Sequence, residues 1–318
     1  MVYIQMIIVV LLGLMLGSVF TSLSIPLLQR LKTGQSIREE GPESHLKKSG
    51  TPTMGGIAMV AAVLMVSIVT REYSADLLLI LGAFLLFGVL GFLDDYLKVV
   101  RRHNLGLRAW QKLAGQLILA GGIAVYKVYF TEGAGQVLIP FLNERVDLGI
   151  LALPFLIFVV TAMTNGVNLT DGLDGLASGV TALVALFFAL ASVPLGFGAT
   201  GVFFSALTGA CIGFLFFNRH PARIFMGDTG SLALGGGIAA ASILMEMELF
   251  LLIVGLVYVA ETLSVVLQVA SFKLRGKRIF KMAPLHHHFE LSGMKEQQVV
   301  GSFCLVTLIL CVIGLGIL

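Results

Sequence analysis

The sequence predicts an all-α integral membrane protein of about ten transmembrane helices, with both termini extracytoplasmic and the active site at the cytoplasmic face. Three observations carry that expectation: composition, the repeat of long apolar runs, and the one-sided placement of basic residues. Hydrophobic residues fill 57% of the 318 positions and charged residues 12%, about half the charged share of an ordinary soluble domain. Mean hydropathy is +0.97. Apolar runs near 20 residues match a hydrocarbon layer of roughly 30 Å, and ten can be placed, at about 2–26, 53–70, 76–93, 112–130, 150–165, 176–192, 199–217, 230–245, 249–271 and 297–317. No soluble-sized segment or low-complexity tract separates them, so residues 1–318 read as one polytopic membrane domain.

Basic residues orient the bundle. Arg30, Lys32, Arg38, Lys47 and Lys48 follow the first run; Lys98, Arg101, Arg102, Arg108 and Lys112 follow the third. Arg219 and Arg223 follow the seventh, and six more, from Lys273 to Lys295, follow the ninth. Thus 18 of 21 basic residues fall in loops of one parity, leaving Arg71, Lys127 and Arg145 on the other. The basic side is assigned to the cytoplasm, which puts both termini outside.

The first run lacks a basic leader and a small-residue cleavage site and reads as a retained helix. Cys211, Cys304 and Cys311 lie within apolar runs without CxxC spacing, as packed thiols would rather than a disulfide framework or zinc site. A net charge of +3 argues for no nucleic-acid partner. Walker, Rossmann and serine-hydrolase motifs do not occur in the sequence.

The chemistry-bearing residues concentrate on the cytoplasmic side. Gly91-Phe92-Leu93-Asp94-Asp95-Tyr96-Leu97-Lys98 ends an apolar helix in two adjacent carboxylates. Such a pair opposes the helix dipole and repels itself unless a cation compensates; Mg²⁺, which takes carboxylates, waters and phosphate oxygens, is the expected cofactor. The alternative is a solvated helix end. In Asn168-Leu169-Thr170-Asp171-Gly172-Leu173-Asp174-Gly175-Leu176, polar residues recur every third position and would share a face if helical; a capped structural loop is the alternative. In Asn218-Arg219-His220-Pro221-Ala222-Arg223-Ile224-Phe225-Met226-Gly227-Asp228-Thr229-Gly230-Ser231, Asp228 precedes a hydroxyl-rich helix start, either an anion site or an ordinary N-cap. Met282-Ala283-Pro284-Leu285-His286-His287-His288-Phe289-Glu290 holds three of the six histidines. Consecutive imidazoles cannot all face one metal from a regular helix, so hydrogen bonding to phosphate or sugar fits them better. Glu261 and Gln268 stand in the ninth run, where a functional role and a bundle-interior hydrogen bond are both open.

Together with Gly34-Gln35-Ser36-Ile37-Arg38-Glu39-Glu40-Gly41-Pro42 and Lys48-Ser49-Gly50-Thr51-Pro52-Thr53-Met54-Gly55-Gly56, these blocks resemble the bacterial phospho-N-acetylmuramoyl-pentapeptide transferases. The resemblance runs from residue 34 to the end. It implies a multi-pass enzyme of the bacterial inner membrane, commonly a homodimer, with cytoplasmic catalytic loops. The implied reaction moves phospho-N-acetylmuramoyl-pentapeptide from its UDP-linked precursor to undecaprenyl phosphate, with Mg²⁺, giving lipid I and UMP for peptidoglycan synthesis. It also implies roles. Asp228 is the metal ligand; Asp94 and Asp95 activate the lipid phosphate or share the metal. Asn168, Asp171, Gly172, Leu173, Asp174, Asn218 and Phe225 line the nucleotide-sugar site. Lys48, Lys98, Lys112, Gln268, His287 and His288 contact phosphate or nucleotide. Two alternatives stand beside this reading: a polyprenyl-phosphate N-acetylglucosamine-1-phosphate transferase, which shares the acidic motifs, and an ion-coupled transporter.

Overall fold

A computed structural model of the chain describes residues 2–31, 48, 50–70, 74–99, 106–131 and 133–318. The block at residues 34–42 and Lys32, Lys47, Ser49, Arg71, Arg101 and Arg102 lie outside the described residues. Each of the ten apolar runs is occupied by helix. In chain order these are α1 (Val2–Arg30), α2 (Gly56–Thr70), α3 (Ala75–Val99), α4 (Ala109–Phe130), α5 (Ala152–Thr170), α6 (Leu176–Ser192), α7 (Gly198–Asn218) and α8 (Gly227–Leu244). A four-residue α9 (Leu251–Val254), α10 (Leu256–Arg275), the short α11 (Leu285–Glu290) and α12 (Glu296–Ile317) complete the helices among the described residues. Seven are long and apolar enough to cross a membrane: α1, α3, α4, α5 with its leading turn, α7, α10 and α12.

Two features depart from the sequence expectation. The fold is not wholly helical: β1 (Gln136–Ile139) pairs antiparallel with β2 (Glu144–Asp147). Apolar and β-branched residues in β1 suit a short strand, and the amide of Leu138 donates to the carbonyl of Glu246, tying the hairpin to the end of α8. The ninth run is also broken, because Gly255 separates α9 from α10.

α8 is the axis of the bundle, with every residue from Thr229 to Leu244 buried. α3 and α5 lie against it, and α1 lies along α7. The α1–α7 contact is close because both faces are small. A Cβ on Gly13 would sit 2.6 Å from the Ala206 carbonyl oxygen, and one on Gly209 would sit 2.1 Å from that of Val10. Without a hydrophobic drive between helices in lipid, such backbone approach is a main source of association. The outer faces of α1 and α12 expose Ile4, Ile7, Leu11, Leu305, Ile309 and Val312, an apolar belt that only lipid would cover well. The C-terminal ends of α3, α5 and α7 meet the N-terminal ends of α4, α8 and α12, and the candidate site forms there.

Candidate active site

The two carboxylates that end α3 have different partners. Asp95 accepts hydrogen bonds from the Asp228 amide (3.1 Å), the Thr229 amide (2.9 Å) and the Thr229 hydroxyl (2.6 Å). It therefore caps the N-terminus of α8 from a neighbouring helix, where a negative charge meets the positive end of the dipole. Asp94 accepts from the Leu107 amide at 2.7 Å through Oδ1. Its Oδ2 is buried, forms an ion pair with Lys98, and has no hydrogen bond among the described residues.

Asp228 is the hub. Its Oδ2 pairs with the ammonium groups of Lys98 (3.0 Å) and Lys112 (2.9 Å), and its Oδ1 accepts from the Asn168 amide nitrogen at 2.8 Å. Asn168 also donates to Ser231 at 2.8 Å and accepts from Lys112 at 3.3 Å. The first turn of α8 is thus held from α3, α4 and α5 together. Asp94, Asp95 and Asp228 each bring a carboxylate oxygen within 4.8 Å of the others. Three hard oxygen donors at one point suit a small divalent cation such as Mg²⁺.

The spacing of three in the 168–174 segment does not give one shared face. α5 ends at Thr170, Asp171 follows as its C-cap, and Gly175 takes a left-handed conformation before α6. Asp171 stays near the hub. Burial holds its carboxyl well above the usual carboxylate range, and the charges of Asp228, Asp95 and Asp174 push the same way. Asp174 turns to a second cluster. Lys48 pairs at 2.6 Å with both Asp174 and Glu296, and His220 lies 3.2 Å from each of the same two carboxylates. The amide of Ala222 also donates to Asp174 at 3.0 Å. Asp174, His220 and Glu296 also bring ligand atoms within 4.8 Å of one another, here tied together by the Lys48 ammonium.

Three residues expected to contact substrate also hydrogen-bond within the fold. Asn218 accepts from the Gly175 amide and the Ser178 hydroxyl and donates to the Ile224 carbonyl. Gln268 accepts from the amides of Ile279 and Phe280 and donates to the Phe280 carbonyl, which folds the loop before α11. The His288 Nδ1 accepts from the Lys281 amide. His287 pairs with Glu290 at 3.0 Å. Phe225 is half-buried, with its backbone hydrogen-bonded to Pro52 and Gly55 and its ring partly accessible. Gly172 is half-exposed, and Leu173 is buried.

Glu296, His220 and His286 enter this region without having been singled out from sequence. An acidic residue in the first turn of a helix is so ordinary that Glu296 carried no signal. His286 was hidden among three identical neighbours, although it alone of them is buried, at 1% exposure.

The model of Glycosyl transferase family 4 matches residues 77–246, and a Phospho-N-acetylmuramoyl-pentapeptide-transferase signature matches residues 48–60. The phospho-N-acetylmuramoyl-pentapeptide-transferase of Clostridium kluyveri is 53% identical over 91% of this chain and 92% of its own. That of Clostridium botulinum is 50% identical over 95% and 92%, and that of Caldanaerobacter subterraneus is 52% identical over 90% of each. Similarity at that level, over nine-tenths of the chain or more, places the chain in the phospho-N-acetylmuramoyl-pentapeptide-transferase family.

Proposed function

We propose that the protein transfers phospho-N-acetylmuramoyl-pentapeptide from its UDP-linked donor to undecaprenyl phosphate, releasing UMP, at the cytoplasmic face of a ten-span bundle in the bacterial inner membrane. The observation that carries the reading is the hub itself. Carboxylates of α3 and α8 and the lysines Lys98 and Lys112 meet at one end of an apolar bundle, where a lipid-borne phosphate and a soluble nucleotide-sugar can both arrive. The one-sided basic loops support the orientation. The homodimer implied by the family belongs to the same proposal and is checked by mass measurement in detergent.

The hydrogen bonds support a division of labour. Asp95 is committed to the start of α8 and holds Asp228 in register. Asp228 and Asp94 are the residues to hold Mg²⁺, which when bound offsets phosphate charge and stabilises the charge developing on the UMP leaving group. Lys98 and Lys112 add fixed positive charge to the same point. The second proton of a phosphate monoester leaves near pH 6, so Asp94 need only orient the lipid phosphate or accept that proton for direct attack on the diphosphate. Asp171, Gly172 and Asp174 form the wall facing the nucleotide-sugar, and the half-buried Phe225 offers a ring for uracil.

The test is UMP release by the purified protein in lipid or detergent with UDP-N-acetylmuramoyl-pentapeptide, undecaprenyl phosphate and Mg²⁺. Release should require all three, and Asp228→Asn should lower kcat by about 100-fold or more. Release that persists without the lipid phosphate, or an unimpaired Asp228→Asn, would overturn the reading. Release from UDP-N-acetylglucosamine at equal efficiency would move the protein to the alternative transferase class.

A further inference from the structure

A buried pair beneath the active-site loop has no place in the mechanism above. Glu261, on α10, is 0% exposed, in a segment apolar enough to span the bilayer. Both of its carboxylate oxygens are spent on one residue. Oε1 accepts from the backbone amide of His286 at 3.2 Å, and Oε2 lies 3.1 Å from the His286 Nδ1. A proton on Nδ1 completes the bond to Oε2 and leaves Nε2 as the acceptor. The pair joins residues 25 positions apart and fixes both the start of α11 and the plane of the imidazole. A carboxyl group deep in apolar surroundings is costly, and it is retained where it does something.

The other end of the ring shows what that is. The His286 Nε2 is buried and has no hydrogen bond among the described residues. It points at the Asp171–Asp174 loop: a Cβ on Gly172 would lie 2.2 Å from it. Gly172 is thus the one residue type that leaves room for the imidazole, and it is half-exposed on its other side. A buried polar atom without a partner is costly, an arrangement that persists when a ligand completes the bond.

We propose that Glu261 and His286 form a positioning dyad for the nucleotide-sugar donor. Glu261 sets the tautomer and angle of the ring, and Nε2 is the pole that meets a polar group of the donor at the Gly172 turn. The inference rests on the proposed reaction, in which this loop faces the UDP-linked substrate. The acceptor phosphate binds at the hub and does not depend on the dyad.

Steady-state kinetics with each substrate varied in turn tests this. Glu261→Gln and Gly172→Ala should each raise KM for the UDP-linked donor about 10-fold, with KM for undecaprenyl phosphate unchanged. Their double variant should be little worse than the worse single one, because both act through one contact. The amide of glutamine reaches the position of Nε2, whereas that of asparagine reaches only Nδ1. His286→Gln should therefore keep donor KM closer to wild type than His286→Asn. Rescue by asparagine instead, or equal changes in both KM values, would show a purely structural tether and overturn the proposal.

Should the variants fail to fold, ¹⁵N resonances of the histidine rings in the wild-type protein decide. Adding the UDP-linked donor should shift the His286 Nε2 and leave Nδ1 in its protonated range. An unmoved Nε2 would overturn the dyad. Wild-type UMP release is measured in the same samples: its absence defeats the proposed reaction, whereas active wild type with an unaltered Glu261→Gln defeats the dyad alone.

Discussion

A single methyl group at Gly91 should disable the site without changing any charged side chain. Gly91 lies one turn before Asp94 on α3, packed directly on the start of α8. A Cβ there would fall 2.0 Å from the carbonyl oxygen of Asp228 and 2.4 Å from its carbonyl carbon. Real Cβ contacts essentially never fall below 3.0 Å, so α3 and α8 must separate locally by at least about 1 Å. The obstacle is backbone at the first turn of a helix and cannot rotate aside. The same two elements carry Asp94, Asp95 and Asp228, whose carboxylate oxygens now lie within 4.8 Å of one another. They also carry the 2.9 Å and 2.6 Å bonds from Thr229 to Asp95. A misplacement near 1 Å costs on the order of 100-fold in rate, so Gly91→Ala should lower kcat for UMP release by about that factor. The rate should be followed over a Mg²⁺ titration, with thermal unfolding in detergent run in parallel to confirm a folded protein. Wild-type kcat with an unchanged Mg²⁺ dependence would refute the argument that the α3–α8 contact sets the geometry of the carboxylates.

Two further predictions concern the opposite end of the bundle. Glu248 is buried, neither carboxylate oxygen has a hydrogen bond among the described residues, and burial pushes its pKa up from 4.5 to about 8. Its folded-state pKa is raised, so ionisation is penalised in the folded state. Stability is full below about pH 4.5 and falls as pH rises from there to about 8, by about 3 kcal/mol at neutral pH. Glu248→Gln should flatten the melting temperature over that window and raise it at pH 8; a wild-type profile in the variant would sink the assignment. Glu246, at the C-terminal end of α8, pairs with buried Lys127 at 3.1 Å and with Arg145 on β2 at 2.7 Å. Glu246→Gln strands the Lys127 charge and should cost about 3 kcal/mol, read as a lower melting temperature. Both KM values should hold, since the substrates bind at the other end, and a changed donor KM would count against that separation.

How much of this was legible in the sequence depends on the range of the interaction. The apolar runs that became α1 to α8 and α12 could be placed because a span is a local property of some twenty residues. The break at Gly255 and the hairpin at 136–147 escaped notice, since a short strand draws its stability from a partner, here the Glu246 carbonyl, that no local pattern announces. The acidic motifs pointed to one end of the bundle, and the structure gathers Asp94, Asp95 and Asp228 there. They could not say that Asp95 caps α8 while Asp94 pairs with Lys98 and the Leu107 amide, because two adjacent carboxylates are equivalent until another helix arrives. The same limit applied to Asn168 and Asp174: a shared face was inferred from their spacing, but the helix ends at Thr170 and sends them to different clusters.

The chain alone therefore determined a membrane-spanning bundle, the grouping of its charges at one end, and the family its motifs resemble, all carried by local composition and order. Tertiary structure alone decided which identical side chain does what. Only the arrival of α8, α10 and α12 made Asp228 the hub, brought Glu296 to Lys48, and singled out His286 from its neighbours. The physical reason is that hydrogen bonds act over about 3 Å, while their partners here stand 25 to 248 residues apart along the chain.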